Sequence, residues 1–517
     1  MSGNGPGNPG TVTTRVPARL DRLPWSRWHW MIVIGLGTVW ILDGLEVTVV
    51  GAIASRISED GSGLSITDAQ VTGVAAALYV AGACSGALFF GRLTDRYGRK
   101  RLFLVTLSVY LAATALTAVS FSAWWFFLFR FLTGFGIGGE YAAINSAIDE
   151  LIPRTYRGRV DLIINGSYWL GAVGGALLSV LALDTNLFPK DLGWRLTFAL
   201  GVVLGLVILL VRRHVPESPR WMLVHGHADG AERLVDEVER EVERETGRPL
   251  PEAEGELTVH QRGVIGFGEI ARTVFGVYPR RATLGFALFV GQAFLYNAIT
   301  FGFGSILVTF FDVPTGATGS YFAVIALGNF LGPLLLGRLF DTWGRRPMIA
   351  GTYLLSGVLL FATAALFGAG VLTATTMTAC WCVVLFFASA GASSAYLTVS
   401  EVFPMETRAM SIAFFYAIGT AAGGISGPLV FAGLTESGVV AEAALAFCIG
   451  AALMVAAGLV ALFFAVAAEG RSLEDIATPL SVRSPDGPDG PAVTGSARRP
   501  DGGGRRAGPG RRGSTGR

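Results

Sequence analysis

Four charged side chains fall inside long apolar runs, where an ionised group is energetically costly. Asp43 and Glu46 lie in the first run, and Arg130 and Glu140 lie in the fourth. An ionised group at the centre of a bilayer costs about 2.5–3.5 kcal/mol on insertion scales, so such a charge usually serves a function. Asp43 and Glu46 are three positions apart and share one face of a helix. Two close carboxylates resist ionising together, so this pair could carry a proton near neutral pH.

Proton chemistry on these groups needs a counter-charge, and Arg130 is the natural one. Protonation of Glu46 would release Arg130, and substrate binding could sense that change. The alternative is a permanent structural ion pair between these two residues. Glu140, deeper in the fourth run, is either a second titrating site or part of a loop network. Histidine is an unpromising proton carrier because all five lie in loops or at the ends of runs: His29, His214, His225, His227 and His260.

The elements that position these charges are membrane-length helices. The chain has 517 residues, of which 52% are hydrophobic and 15% charged, against about 25% charged in average soluble domains. A bilayer core of about 30 Å needs about 20 apolar helical residues. We predict an all-α membrane protein of twelve transmembrane helices in two six-helix, pseudo-symmetric halves. The spans centre on 31–53, 70–91, 102–120, 124–147, 162–183, 195–212, 283–310, 318–340, 347–368, 371–398, 410–433 and 441–467.

The spans divide the chain into five predicted parts. The two tails are rich in Gly, Pro and Arg, and we expect both to be disordered. The linker holds a charged segment with Leu and Val on one stripe, which predicts an amphipathic helix. The parts are the N-terminal tail 1–24, the first half 25–212, the linker 213–282, the second half 283–469 and the C-terminal tail 470–517.

Two charged motifs each occur twice. Gly91-Arg-Leu-Thr-Asp95-Arg96-Tyr-Gly98-Arg99-Lys100 follows span 2, and Gly337-Arg-Leu-Phe-Asp341-Thr-Trp-Gly344-Arg345-Arg346 follows span 8. Glu150-x-x-Pro-x-x-x-Arg157-Gly ends span 4, and Glu401-x-x-Pro-x-x-x-Arg408-Ala ends span 10. Two motifs repeated at nearly the same offset indicate two homologous halves.

The repeated motifs predict a conformational gate. A carboxylate beside a helix N-terminus and an arginine is stabilised by the helix dipole and by charge pairing. Such groups can latch helix ends together in one state and release them in another. The alternative is that the charges only fix membrane topology. The predicted gating residues are Gly91, Asp95, Arg96, Gly98, Arg99, Glu150, Arg157, Asp341, Gly344, Arg345, Glu401 and Arg408.

Lysine and arginine in the loops predict the orientation. They cluster after spans 2, 4, 8 and 10, whereas the loops after spans 3 and 9 carry none. Cytoplasmic loops are enriched in these residues. We therefore expect a multi-pass protein of the plasma membrane with both termini in the cytoplasm.

These motifs resemble those of the major facilitator superfamily over nearly the whole chain. Pro216-Glu-Ser-Pro-Arg-Trp221 and Arg130-Phe-Leu-Thr-Gly-Phe-Gly-Ile-Gly138 resemble sugar porter signatures, and Gln292-Ala-Phe-Leu-Tyr-Asn297 resembles half of another. Asp43-Gly-Leu-Glu46 is closer to aromatic acid–proton symporters, and Gly138-Gly-Glu-Tyr141 to metabolite–proton symporters of organic acids and betaines. The resemblance implies a monomer in which Glu46 and Arg130 couple protons to transport.

The substrate site should lie at mid-membrane between the halves. Polar and aromatic side chains there are candidate ligands, although each could instead make a helix–helix hydrogen bond. The candidates are Asn165, Tyr168, Trp169, Gln292, Tyr296, Asn297, Asn329 and Tyr396. Tyr396 takes the place of a tryptophan in the sugar porter pattern.

The combined interpretation is a proton-coupled symporter that works by alternating access. Its substrate would be a small organic acid or a sugar, with the acid favoured because Arg130 offers a planar bidentate donor to a carboxylate. The other hypotheses are proton-coupled efflux of hydrophobic compounds and a non-transporting membrane sensor. We expect no enzymatic activity, nucleic-acid binding, metal or cofactor, because no such constellation is apparent and the formal net charge is only +2.

Overall fold

The computed structural model describes residues 11–67, 70–182, 185–212, 216–253, 255–260, 268, 271–313, 318–404, 407–435 and 437–477. Twelve helices of 20 or more residues occur within these ranges. They correspond in order to the twelve predicted spans. Spans 1 to 12 are Arg27–Ser58, Ala76–Tyr97, Arg99–Ala118, Ala123–Leu151, Arg157–Ala182, Lys190–Arg212, Pro279–Phe311, Thr318–Thr342, Arg345–Gly368, Ala374–Val402, Arg408–Thr435 and Val440–Phe464.

Span 4 differs from the other eleven in composition. Those eleven are, within the described residues, long and apolar enough to cross a membrane. Span 4 is long enough at 29 residues, which corresponds to about 43 Å of helix. Its mean hydropathy is lowered because it contains the buried charges Arg130 and Glu140. The predicted fold of twelve spans is confirmed, and the exceptional span contains two of the four predicted functional charges, Arg130 and Glu140.

The helix packing repeats between the two halves. Span 1 packs against spans 5 and 6, span 4 against spans 2 and 3, and span 3 against span 6. In the second half span 7 packs against spans 11 and 12, span 10 against spans 8 and 9, and span 9 against span 12. The halves meet mainly through spans 5 and 8 and through spans 2 and 11. Side chains of spans 1, 4, 5, 7, 10 and 11 are therefore able to meet between the halves.

Glycine sets the distance between spans 1 and 5. A Cβ atom added at Gly171 would lie 1.8 Å from the carbonyl oxygen of Ile41, and one at Gly44 would lie 1.9 Å from that of Tyr168. Small residues let membrane helices approach closely, which increases their van der Waals contact. This approach fixes the part of span 1 that carries Asp43 and Glu46.

We expect Gly171→Ala to destabilise the protein by about 2 kcal/mol or more, because overpacking would force the two backbones apart. The measurement is the unfolding temperature of the purified protein in detergent. Gly174→Ala is the matched control on the same helix, since nothing lies within 4 Å of a Cβ added there. Equal unfolding temperatures for the two variants would contradict the close-packing argument.

The N-terminal segment from Thr11 is ordered, where its composition predicts disorder. Thr11–Thr14 forms an antiparallel strand pair with Leu257–His260, in which Thr11 is opposite His260 and Thr14 is opposite Leu257. The short helix Val16–Asp21 follows and lies against the linker helix Ala228–Thr246. Val16 and Leu20 are buried in this contact, which explains the order. Residues 1–10 and 478–517, which include most of the predicted C-terminal tail, lie outside the described residues.

Candidate functional site

Glu46 and Arg130 form a buried ion pair between spans 1 and 4. Arg130 Nη1 lies 2.5 Å from Glu46 Oε1, and both side chains are at most 4% exposed. Thr114 of span 3 donates a hydrogen bond of 3.3 Å to the other oxygen of Glu46. The loss of either charge would leave its partner uncompensated in a low-dielectric interior. The charge state of Glu46 therefore controls the environment of Arg130.

Asp43 lies beside this pair and has its own partners. Tyr79 of span 2 donates a 2.7 Å hydrogen bond to Asp43 Oδ1, and Tyr141 of span 4 donates to Asp43 Oδ2. The guanidinium carbon of Arg130 lies 4.8 Å from the centre of the Tyr79 ring. Tyr79 thus contacts both the carboxylate and the arginine. A change in the protonation of Asp43 or of Glu46 would therefore alter the electrostatic environment of the other.

Glu140 is buried between spans 3 and 4, away from the loops. Thr106 donates a 2.7 Å hydrogen bond to Glu140 Oε1. The ten positions from Arg130 correspond to about 15 Å along span 4. Glu140 therefore lies at a separate level of the membrane from the Glu46–Arg130 pair.

Five aromatic rings from both halves meet next to Asp43; we call them the aromatic cluster. Trp40, Tyr141 and Tyr168 come from the first half, and Tyr396 and Tyr416 from the second. Trp40 stacks on Tyr141 with centroids 4.5 Å apart, and its edge meets Tyr396 at 5.7 Å. Tyr141 meets Tyr416 at 4.9 Å. Any movement of the halves must rearrange this cluster.

A second group of predicted ligands lies between spans 5, 7 and 8. The rings of Trp169 and Tyr296 have centroids 5.5 Å apart, and the Tyr296 hydroxyl donates to Asn329 Oδ1 at 2.8 Å. Asn297 donates a 2.7 Å bond to a carbonyl of its own helix. Gln292 is half-buried one turn before Tyr296. The structure thus joins Trp169, Tyr296 and Asn329 across the halves.

Asn165 takes part in a contact between spans 4 and 5. Its side-chain amide donates to Asn145 Oδ1 at 3.0 Å, and Asn145 donates to the Tyr141 carbonyl at 2.8 Å. Sequence analysis missed Asn145, although its four-residue spacing from Tyr141 on one helix face was a usable signal. Other residues near the site were also missed: the half-buried Tyr79 and the buried Trp40, Tyr141, Asp161 and Tyr416.

Spans 2, 4, 8 and 10 end in the region that carries both repeated motifs, and we call this region the motif end. Arg345 binds both oxygens of Glu401, at 2.9 and 3.0 Å, and Asp341 Oδ1 at 2.8 Å. Asp341 also accepts bonds from the backbone N–H groups of Gly158 at 3.0 Å and Arg159 at 2.8 Å, in the first turn of span 5. A carboxylate at a helix N-terminus is a favourable pairing. Here the pairing connects the second half to the first.

Two further contacts at the motif end cross between the halves in a reciprocal way. Arg408 Nη1 of the second half lies 3.6 Å from Glu150, which also binds Arg99 at 2.8 Å. Arg157 Nη1 of the first half lies 4.0 Å from Glu401. Gly91 is buried and Arg96 is exposed over the ring of Tyr97. The side chain of Asp95 lies outside the described residues, so its gating role stays a prediction.

Two glutamates that sequence analysis did not single out cap spans 3 and 9. Glu217 accepts hydrogen bonds from the backbone N–H groups of Arg99 at 2.8 Å and Lys100 at 3.2 Å. Glu469 accepts the corresponding bond from Arg345 at 3.1 Å. Burial raises the pKa of Glu217 above its usual value. The residues just before spans 3 and 9, Gly98 and Gly344, have φ of 92° and 107°. Glycine is suited to these positions because a side chain there would be strained.

Residues 28–480 match the family described as "Sugar (and other) transporter". The chain belongs to this family. Its relatives are transporters, so the protein is a multi-pass membrane transporter and not an enzyme. The chain is 26% identical to the niacin transporter NiaP of Acinetobacter baylyi over 413 residues, which cover 80% of this chain and 89% of NiaP.

Other family members have different named substrates. The chain is 26% identical to the 4-hydroxybenzoate transporter PcaK of Acinetobacter baylyi over 414 residues, covering 78% of this chain and 84% of PcaK. It is 28% identical to myo-inositol transporter 2 of Schizosaccharomyces pombe over 416 residues, covering 76% and 72%. The proton:xylose symporter XylE, solved with 6-bromo-6-deoxy-D-glucose, superposes with a TM-score of 0.70 at 18% identity over 87% of this chain and 98% of XylE. This last likeness shows the shared fold.

Proposed function

We propose that this protein is a proton-coupled symporter that takes up a small organic acid by alternating access. The observation that carries the proposal is the buried Glu46–Arg130 pair beside Asp43. Protonation of Glu46 removes the negative partner of Arg130, and the buried cation then needs another anion. A substrate carboxylate satisfies that need, and the guanidinium can bind it through two parallel hydrogen bonds. Proton binding and substrate binding would in this way favour each other.

The aromatic cluster supports a substrate with a flat ring. The ring centroids of Trp40 and Tyr416 lie 4.5 and 4.9 Å from that of Tyr141, a tyrosine that donates to Asp43, and Tyr396 meets Trp40 at 5.7 Å. Aromatic rings stack favourably on such surfaces, at about 0.5–1.5 kcal/mol per pair beyond the area they bury. The named substrates of the two Acinetobacter relatives, niacin and 4-hydroxybenzoate, are ring compounds that carry a carboxylate. A sugar is the second candidate, because a relative is named for myo-inositol.

The contacts at the motif end act as the gate of the proposed cycle. Three contacts hold the two halves together there. They are the bonds from the first turn of span 5 to Asp341 and the reciprocal Arg157–Glu401 and Arg408–Glu150 pairs. Breaking them would open the aromatic cluster to that side. The arginine-rich loops at this end support a cytoplasmic orientation for it. The protein is then a monomer of the plasma membrane with both termini in the cytoplasm.

The test is the external pH of de-energised cells that express the protein, recorded as neutral salts of aromatic acids, aliphatic acids and sugars are added. Symport with an aromatic acid should make the medium more alkaline, because each substrate molecule carries a proton inward. Cells without the protein control for passive permeation of the undissociated acid. Alkalinisation with sugars alone would reassign the substrate class. No alkalinisation with any compound, together with acid-driven loss of a hydrophobic dye, would replace symport by efflux.

A further inference from the structure

The N-terminal segment is held on the linker helix by a set of ion pairs; we call residues 11–22 with the linker helix Ala228–Thr246 the N-terminal clasp. Arg19 alone binds three carboxylates of that helix. Its nitrogens lie 2.6 Å from Glu232, 2.5 Å from Asp236 and 2.6 Å from Glu239. These partners are successive on one face of the helix, at spacings of three and four.

Further contacts fix the clasp at both ends. Thr14 donates to Glu232 at 2.8 Å, and Arg22 binds Glu239 at 2.6 Å. Although burial opposes its charge, hydrogen bonds from Arg19 and Arg22 lower the pKa of Glu239 below its usual value. Charged networks of this kind stabilise more than isolated surface pairs. Asp21 lies between Arg19 and Arg22, so the contacts of these two arginines also fix its position.

Asp21 points away from the linker helix and towards the motif end. Its side chain is only 7% exposed. Asp21 Oδ1 lies 3.5 Å from Arg157 Nη2 and 3.5 Å from Arg220 Nη2. Both arginine side chains are 1% exposed. A single carboxylate of the N-terminal segment thus faces two buried arginines.

The same two arginines reach one carboxylate of the second half and one of the segment that directly follows it. Arg157 Nη1 lies 4.0 Å from Glu401, and Arg220 Nε lies 3.0 Å from Glu474 in the short helix Leu473–Ile476. Although burial opposes its charge, the nearby carboxylates of Glu474, Asp21 and Glu150 raise the pKa of Arg220 above its usual value. Asp21 therefore shares each arginine with an acid from the opposite side of the gate.

We propose that Asp21 is a positioning residue of the gate, which competes with Glu401 and Glu474 for Arg157 and Arg220 and so keeps closure reversible. When the motif end is closed, the Asp21 charge offsets part of the attraction of the two arginines to Glu401 and Glu474. When the gate opens, Asp21 moves with the first half and both arginines keep an anionic partner. Both effects lower the free-energy cost of opening. This inference depends on the gate described under the proposed function.

The variant that isolates the charge is Asp21→Asn, which keeps the size and one acceptor oxygen. We expect it to favour closure of the motif end by about fivefold, a coupling of ordinary size for allosteric contacts. The readout is the rate at which a thiol reagent modifies Ser400→Cys in purified protein whose native cysteines have been replaced. This rate should fall in Asp21→Asn. Ser400 is buried one helical turn from Tyr396, between the aromatic cluster and the gate. The native cysteines are Cys84, Cys380, Cys382 and Cys448.

Matched variants separate the possible failures. Asp21→Glu keeps the charge and should label at the native rate, and Glu256→Gln should do so as well because the Arg15–Glu256 pair is exposed and away from the gate. Labelling of Asp21→Asn at the native rate or faster would overturn the proposal. Glu401→Gln tests the gate by itself, since it should speed labelling. If Glu401→Gln leaves labelling unchanged, the gate fails; if only Asp21→Asn leaves it unchanged, the role of Asp21 fails.

Discussion

Glu46→Gln should abolish the accumulation of substrate driven by a proton gradient, while exchange of substrate across the membrane continues. Glutamine keeps the shape of the side chain but can neither bind nor release the proton that does work on the cycle. One pH unit corresponds to about 1.4 kcal/mol, so a one-proton symporter should accumulate its substrate about tenfold. The accumulation ratio in proteoliposomes should fall to one in the variant. Counterflow of labelled substrate should persist, because it needs no net proton movement.

Glu140→Gln is the matched control for Glu46→Gln. Both glutamates are buried and each accepts a hydrogen bond from a threonine of span 3. Only Glu46 pairs with Arg130, and Glu140 lies about 15 Å farther along span 4. Accumulation should therefore survive in Glu140→Gln. The reverse pattern, with accumulation kept in Glu46→Gln and lost in Glu140→Gln, would show that the proton-carrying carboxylate has been wrongly assigned.

The Glu46–Arg130 pair was accessible to sequence reasoning because an intramembrane charge is costly. Few charges occur in the apolar runs, so a buried acid in span 1 has few cations to choose from. The motif-end contacts of Arg345 and Glu401 were accessible for a different reason, since their motifs occur twice at nearly the same offset. In both cases the signal was a residue type that apolar packing alone would not retain.

Tyr168 and Tyr396 of the aromatic cluster were predicted as ligands, but the other three rings carried no comparable signal. Trp40, Tyr141 and Tyr416 each sit in an apolar run in which an aromatic residue is ordinary. What makes them notable is that they touch one another across two halves of the fold, and such contacts depend on how the helices pack. A pattern along one helix shows which face is polar but does not identify the ring on the facing helix.

The N-terminal clasp escaped sequence analysis because its partners are far apart in the chain. Arg19 lies more than 200 positions before Glu232, Asp236 and Glu239. The Gly- and Pro-rich composition of residues 1–24 predicts disorder, and that average hides the apolar pair Val16 and Leu20. Contacts with distant parts of the chain, chiefly the linker helix, order this segment, and neither partner alone predicts them.

Arg345→Gln should weaken the gate more than any other single change at the motif end. Arg345 binds Glu401 through two nitrogens and Asp341 through a third, and it also donates to the Phe340 carbonyl at 2.7 Å. Among the ion pairs of the described residues, glutamine leaves Glu401 the weaker contact to Arg157 at 4.0 Å. Removing one partner of a buried ion pair typically costs about 3–5 kcal/mol. Net transport should fall by about a hundredfold or more, and Ser400→Cys should label faster because the motif end opens.

Arg346→Gln is the control that separates the gate from the local charge of the loop. Arg346 is the adjacent residue of the same type, but it is exposed and donates to the Leu462 carbonyl at 2.7 Å. Arg346→Gln changes the net charge of this loop by the same amount as Arg345→Gln, yet it leaves Glu401 and Asp341 paired with Arg345. If both variants reduce transport equally, the motif charges serve topology or lipid contact. If only Arg345→Gln reduces transport and the labelling of Ser400→Cys rises with it, the effect comes from opening the gate.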